Sequence, residues 1–484
     1  MSDTKWFSDA LLINRDPNWY NCAGWDYTDA KSAENSMRAF FKKFTTHSIT
    51  DMLLCIFENT SMIPSDAVMW RGMKAFQTEE NGVSVSYPDN KNLYRLFREF
   101  HLDPVQIFLD MMREGGVRPW LTLRMNDVHF GADTASFLRD DFFYTAQKNG
   151  WMIGSSYGYY GYALDYGNEQ VRDRMLRYIR EILEKYDMFG LELDFMREIY
   201  CFDYLHNENR HAIMNDFIEQ VHGMILEAQE KVGHTIRLMV RTPRCVEDAY
   251  AFGFDVLLWA RNGWVDAIVP TPRWEVTDDA IPVSEWKKAV GEDIAVFPGV
   301  ETLHLKFSRT TDEMAKAYSA AWNTQGADGL YFNNHDYATP LHRLVYGLHR
   351  ETVLQGVRRY IVTYQDIAAK GNPRYKPFPM CVSEKASMQL SIGPVRQTDR
   401  FTILLAFDGD NAPLLRLNGL PVEKGNRCPP IIEEQVDERA PVVLTNENTY
   451  SYHADAFVTE GDLLFELEGN GVLQYLEFRM EAEE

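Results

Sequence analysis

Cysteine is scarce: six in 484 residues, at Cys22, Cys55, Cys201, Cys245, Cys381 and Cys428, with no C-x-x-C pair among them. Neither a disulfide framework nor a zinc ribbon can be read from that spacing, and reduced thiols are expected. Long apolar runs are missing as well, since nowhere do about 18 uncharged apolar residues follow one another. The opening residues, MSDTKWFSDA, hold no basic stretch followed by an apolar one, so no secretory signal is read there and a cytoplasmic location is expected. Positive charge is in deficit: 49 basic against 71 acidic side chains leave a formal net charge of -22. A polyphosphate would meet a repulsive field, so neither nucleic acid nor membrane is an expected partner.

Several catalytic signatures are absent. There is no H-x-H, H-E-x-x-H or EF-hand loop and no Walker A loop, and no G-x-S-x-G or G-x-G-x-x-G follows an expected strand; the one G-x-S-x-G, Gly154 to Gly158, lies in a loop. A dedicated metal centre, a serine hydrolase, a P-loop enzyme and a Rossmann dehydrogenase are all disfavoured, and no cofactor or metal is expected. No internal repeat and no low-complexity tract is present.

What is there suits a globular chain: 45% hydrophobic, 13% aromatic and 25% charged residues, with 30 Gly and 20 Pro. Short apolar runs alternate with segments of helical period, which predicts βα units and a parallel sheet. The runs are Leu11 to Arg15, Asp51 to Phe57, Arg118 to Arg124, Gly190 to Met196, Thr235 to Arg241, Val265 to Pro270, Ile294 to Pro298 and Gly329 to Asn333. Eight such strands close a (β/α)8 TIM barrel. Helices are expected over Asn168 to Tyr186, Asn207 to Lys231 and Thr311 to Thr324, with a weaker one over Val246 to Asn262. From about Pro373 the helical period gives way to strands Ala386 to Ile392, Phe401 to Phe407 and Pro441 to Leu444, separated by turn residues such as Asn418-Gly419. The expectation is a barrel over residues 1–370 and an antiparallel β-sandwich over 371–484, joined through Lys370 to Pro379.

In such a barrel the reacting groups project from the C-terminal ends of the strands. On the fourth strand, alternation places Glu192 and Asp194 on one face and Leu191, Leu193 and Phe195 on the other. Two carboxylates about 6.6 Å apart along a strand need a cation or a shared proton. Arg124, Arg197 and Arg241 are the available cations. A buried ion network that merely orders the interior is the competing explanation.

The seventh strand ends in Pro298-Gly299-Val300-Glu301 and presents Glu301, with Glu275, beside Trp274, as a rival for the same work. The eighth runs into Asn333, Asn334 and His335, donors and acceptors suited to sugar hydroxyls or to turn chemistry. Glu58-Asn59, Asn126-Asp127 and His129 extend this polar rim. Tyrosines crowd Trp151 to Tyr166, including Tyr160, and a second aromatic cluster holds Trp19, Tyr20, Trp25 and Tyr27. Together with Trp274 these make an expected platform for pyranose rings.

The stretch Asp165-Tyr166-Gly167-Asn168, followed by Tyr186-Asp187-Met188-Phe189-Gly190-Leu191-Glu192-Leu193-Asp194-Phe195-Met196-Arg197, resembles the family 10 glycosyl hydrolase-like barrel proteins. In those a D-G-I-E-L-D-F-M-R type strand follows a D-Y-G-N helix start. Here Met188-Phe189-Gly190 stands where V-D-G is usual. The resemblance is strong over about 35 residues and implies a retaining or inverting glycosidase-like barrel with Asp194 as a key acid. Leu415 to Gly419 and Gly461 to Met480 are similar to accessory β-sandwiches appended to glycosidases.

The expected activity is therefore hydrolysis of an oligosaccharide or glycoside by a carboxylate pair, Asp194 and Glu301, with Glu192 orienting or sharing a proton. The arginines suggest an anionic sugar, a uronate or sulfated unit. Two other classes stay open: a non-hydrolytic carbohydrate-binding barrel, and a barrel lyase or isomerase. The sequence also leaves a homo-oligomer open.

Overall fold

The computed structural model of the chain describes residues 6–16, 19–20, 25–45, 48–80, 83–84, 88–131, 138–273, 280–302, 310–334, 354–362, 378–423, 425–430, 444–455, 458 and 461–482. The barrel strands follow in chain order: β1 (Ala10–Arg15), β2 (Asp51–Glu58), β3 (Arg118–Arg124), β4 (Gly190–Asp194), β5 (Arg237–Pro243) and β6 (Ala267–Thr271). β7 comes in two pieces, Ala295–Val296 and Gly299–Glu301, and β8 is Gly329–Asn333. Pro298, which lacks the N–H a ladder needs, lies in the break. The sheet order runs from the first piece of β7 through β6, β5, β4, β3, β2, β1 and β8 to the second piece of β7. An order that returns to the strand it left is that of a (β/α)8 barrel, and an antiparallel β-sandwich follows it in the chain. By internal contacts the chain divides into two compact units, Leu12–Val269 with Lys288–Ala295, and Met1–Leu11 with Pro270–Lys287 and Val296–Glu484.

In the first unit, β2 is buried at every position and is flanked by the parallel strands β1 and β3. Strands covered on both faces read as continuous apolar runs, which is why they stood out in the sequence. Helix Glu169–Lys185 buries Val171, Met175, Tyr178, Ile179 and Ile182 as one stripe. Asn168 holds its N-cap position without a side-chain cap bond. Helix Arg210–Val232 ends at Gly233, whose left-handed φ of 77° stops it. The weak helical signal over residues 246–262 resolves into two short helices, Val246–Ala251 and Val256–Arg261, with Gly253 at φ 104° between them. No helix among the described residues is long and apolar enough to cross a membrane.

In the second unit, helix Asp312–Thr324 is capped by the Thr311 side chain. Strands β9 (Val357–Val362), β10 (Met380–Ile392), β11 (Arg400–Gly409), β12 (Leu414–Leu417), β13 (Thr449–His453) and β14 (Gly461–Glu481) build the antiparallel sheet. The long β14 pairs with β9, β10, β11 and β12. β9 thus joins the second sheet ahead of the connector expected at Lys370 to Pro379; residues 363–377 lie outside the described residues. The core gathers Leu390, Ile403, Leu405, Leu417, Tyr452, Phe465 and Phe478. Inside it Arg359 meets Glu477 through two bonds of 2.7 and 3.1 Å, which leaves neither buried charge alone. Of the strand expected at Pro441 to Leu444, residues 441–443 are outside the described set.

Candidate active site

Strand register assembles the site. Glu58 of β2 aligns with Arg124 of β3, Arg124 with Asp194 of β4, and Asp194 with Arg241 of β5. Residues in register share a face, so four strand ends present acid, guanidinium, acid and guanidinium in one row, all of them buried. Alternating signs let each charge offset its neighbours where water does not reach.

Asp194 engages both oxygens. Oδ1 accepts from the backbone N–H groups of Met196 at 2.8 Å and Arg197 at 3.0 Å, and Oδ2 accepts from Arg241 Nη1 at 3.1 Å. Glu192 lies one pleat deeper, fully buried, where Asn14 and Thr122 donate to its Oε2. The two acids expected to repel are thus given separate partners.

Glu58 is the hub of a second cluster. Arg71 Nη2 lies 2.5 Å from Oε2, and Arg124 Nη1 and His129 Nδ1 each lie 3.1 Å from Oε1. Arg124 also reaches Asp16 at 3.1 Å and Asp127 at 3.5 Å. Asp127 Oδ1 accepts from the backbone N–H of His129 at 2.8 Å and stands 2.6 Å from His129 Nδ1. The Arg197 side chain completes the group, with Nε 3.4 Å from Asp127 Oδ2 and Nη2 2.8 Å from His129 Nε2. Arg197 therefore serves Asp194 through its backbone and Asp127 and His129 through its guanidinium.

These contacts set the charges. Burial alone would raise Glu58, but Arg71, His129 and Arg124 outweigh it and hold the carboxyl well below the usual range. Asp127 is likewise lowered against its burial, chiefly by His129. Burial pulls His129 down, yet Asp127 and Glu58 raise it to about 9 against the opposing charge of Arg197. Arg197 Nη2 lies 2.8 Å from Nε2 and 3.5 Å from Nδ1, so the protonated ring is set beside a second cation.

Glu58, Asp127 and His129 bring ligand-type atoms within 4.8 Å of one another, a cluster of the kind that holds metals. Arg71 and Arg124 already occupy the Glu58 oxygens, and a cation would have to displace them. The donor set fits guanidinium better than a metal ion.

An aromatic shelf adjoins this cluster. Tyr157, Tyr160 and Tyr200 pack against Val128, Ile153 and Ala163, and Val128 sits between Asp127 and His129 in the chain. Tyr160 and Tyr200 have ring centroids 5.1 Å apart, and Tyr159 is 54% exposed. The cluster after β1 is different: Trp19 and Tyr20 are buried, and Trp19 Nε1 donates to Cys55 O at 2.8 Å. Those two rings belong to the core rather than to an exposed platform.

In the second unit, Glu301 at the end of β7 is buried, and both of its oxygens accept from amides. Asn333 Nδ2 lies 2.6 Å from Oε2, and Asn334 Nδ2 lies 3.2 Å from each oxygen. Asn334 takes a left-handed φ of 51°, a conformation asparagine tolerates. Trp274, Glu275 and His335 lie outside the described residues.

The sequence had pointed to Arg124, Asp194, Arg197 and Arg241, and the structure brings them together. Arg71 and Asp16 give no sign in the sequence, because Arg71 opens a short 3-10 helix and Asp16 follows the last residue of β1, neither with a local signature. In the sequence His129 stands only as part of the polar rim. The spacing Asp127-Val128-His129 was the available signal, since an aspartate can bind both the backbone N–H and the ring two residues on.

No protein-family model matches this chain, and no curated protein matches it in sequence. Among solved structures it is similar to a cycloisomaltooligosaccharide glucanotransferase of Paenibacillus sp. complexed with cycloisomaltoheptaose, at 10% identity and a TM-score of 0.37 over 99% of this chain and 58% of that one. A GH36 α-galactosidase of Geobacillus stearothermophilus matches at 12% identity and 0.37, over 95% of this chain and 55% of that one. A putative α-L-fucosidase of Bacteroides thetaiotaomicron matches at 10% and 0.37, over 99% and 96%. The chain spans little more than half the length of the first two.

Proposed function

We propose that the chain is a glycoside hydrolase in which Asp194 and Glu301 supply the two carboxyls of glycosidic cleavage and Glu192 orients its neighbours. The observation that carries the reading is a polar, carboxylate-rich cluster at the C-terminal ends of β2, β3 and β4 with a partly exposed tyrosine shelf against it. Acids and amides suit sugar hydroxyls, and tyrosine rings suit the apolar faces of a pyranose. Asp194 would act at the anomeric carbon and Glu301 as acid/base. A carboxyl separation of about 5–5.5 Å in the sugar complex means retention, and about 6.5–9.5 Å inversion. Arg124, Arg197, Arg241, Trp274, Glu275, Asn333, Asn334, His335 and Tyr160 are the proposed substrate contacts. The test is turnover of a panel of aryl glycosides by the intact protein, with Asp194→Asn and Glu301→Gln as controls. Activity lost in both folded variants supports the reading, and activity undiminished in either removes that residue from the chemistry.

One observation favours a second reading. Asp194 is 3% exposed and has both oxygens engaged by three donors, which suits a structural acid in a carbohydrate-binding barrel that does not hydrolyse. Glycan binding that survives both substitutions, with no turnover by the intact protein, would favour it.

A further inference from the structure

Along the row and the Glu58 cluster, arginines face carboxylates: Arg71 and Arg124 meet Glu58, and Arg241 meets Asp194. That balance removes the simple argument from arginine number to an anionic sugar. One edge departs from it. The acids around His129 gather at Nδ1, with Asp127 Oδ1 at 2.6 Å and Glu58 Oε1 at 3.1 Å. A cation lies against the same ring, nearer the other nitrogen: Arg197 Nη2 is 2.8 Å from Nε2 and 3.5 Å from Nδ1.

Arg197 is anchored for this position. Its backbone N–H donates to Asp194 Oδ1 at 3.0 Å and its Nε lies 3.4 Å from Asp127 Oδ2, so the guanidinium is held from its Nε side with Nη2 turned to the imidazole. Its side chain is 7% exposed, whereas that of His129 is 35% exposed, so an approaching group reaches the imidazole edge first. Because Nη2 is within 3.5 Å of both ring nitrogens it lies off the line along which Nε2 would donate, so the protonated ring keeps an N–H beside the guanidinium, and an oxyanion set next to both would accept from each.

We propose that His129 Nε2 and Arg197 Nη2 together form a binding site for an anionic oxygen of the sugar, a uronate carboxylate or a sulfate ester. The inference rests on the reading above for the ligand being a sugar, but it does not require hydrolysis. Asp127, Glu58 and Arg124 are the other charged groups facing His129, and the two acids keep the ring protonated at neutral pH, where the site is competent.

The test titrates the full chain calorimetrically at pH 7 with glucuronate, glucose 6-sulfate and glucose, and follows the His129 Nε2 resonance in 15N-histidine-labelled protein. At least one charged sugar is expected to bind about tenfold or more tightly than glucose, the scale of a hydrogen bond to a charged group. The preference should collapse in Arg197→Met, survive in part in Arg197→Lys, and move the His129 resonance. A response to glucuronate alone assigns a carboxylate, and one to glucose 6-sulfate alone a sulfate. Equal affinity for all three sugars, an unchanged preference in Arg197→Met, or binding with an unmoved His129 signal overturns the proposal. Should Arg197→Met fail to fold, the wild-type resonance decides. Anion preference without turnover of any glycoside keeps this site and ends the hydrolase reading; turnover of neutral glycosides without anion preference does the reverse.

Discussion

Arg241 Nη1 stands 3.1 Å from Asp194 Oδ2, and the two residues are in register on β5 and β4 with side chains only 1% and 4% exposed. A pair so sealed has little water to fall back on. Whatever it contributes to chemistry, it also holds two strand ends together, because removal of one partner leaves the other charge buried without its counter-ion.

Arg241→Met should therefore cost about 3 kcal/mol of stability. In urea denaturation, the double variant with Asp194→Asn should lose less than the sum of the two single losses. Additive losses would show that the pair is not coupled.

Glu58 gives an acid limb. Its carboxyl is held well below its unfolded value, so the stability it contributes is present above about pH 4.3 and is lost as pH falls through the depressed folded value. Denaturation midpoints measured from pH 6 downward should fall more steeply in the wild type than in Glu58→Gln, whose stability is already reduced at neutral pH. Parallel profiles would contradict the assigned charge.

His129 gives the opposite limb. A folded value raised to about 9 means stability that is complete below the unfolded value of about 6.5 and lost as pH rises through 9. Between pH 7 and 10 the wild type should lose an increment that His129→Gln does not. A 15N titration placing the ring near its unfolded value would contradict the account.

Gly190 opens β4 where no side chain fits. A Cβ there would lie 2.2 Å from Trp120 Cζ3, and Trp120 is fully buried with its Nε1 donating to Asp51 at 2.8 Å. Gly190→Ala should destabilise by about 1–3 kcal/mol, the scale of overpacking a core. An unchanged thermal midpoint would mean that Trp120 can move aside.

The strands were readable because those buried on both faces announce themselves as apolar runs, and an acid pair inside such a run, Glu192 and Asp194, stands out against it. Less readable were partners brought by folding alone. Arg71, which opens a short 3-10 helix, meets Glu58 thirteen positions back in the chain, and Trp19, which in the sequence is one aromatic among several, is claimed by the backbone carbonyl of Cys55. The early change of sheet at β9 escaped notice for a similar reason: Val357-Arg358-Arg359-Tyr360-Ile361-Val362 has strand character, but its partner on β14 lies more than a hundred residues on.

The most direct measurement is the turnover of aryl glycosides by the intact chain beside folded Asp194→Asn and Glu301→Gln. The account predicts hydrolysis by the wild type and a loss of about a hundredfold or more in each variant, the range expected for removal of a catalytic carboxyl. Sugar binding with no turnover by the wild type, or turnover that both variants retain, would contradict it.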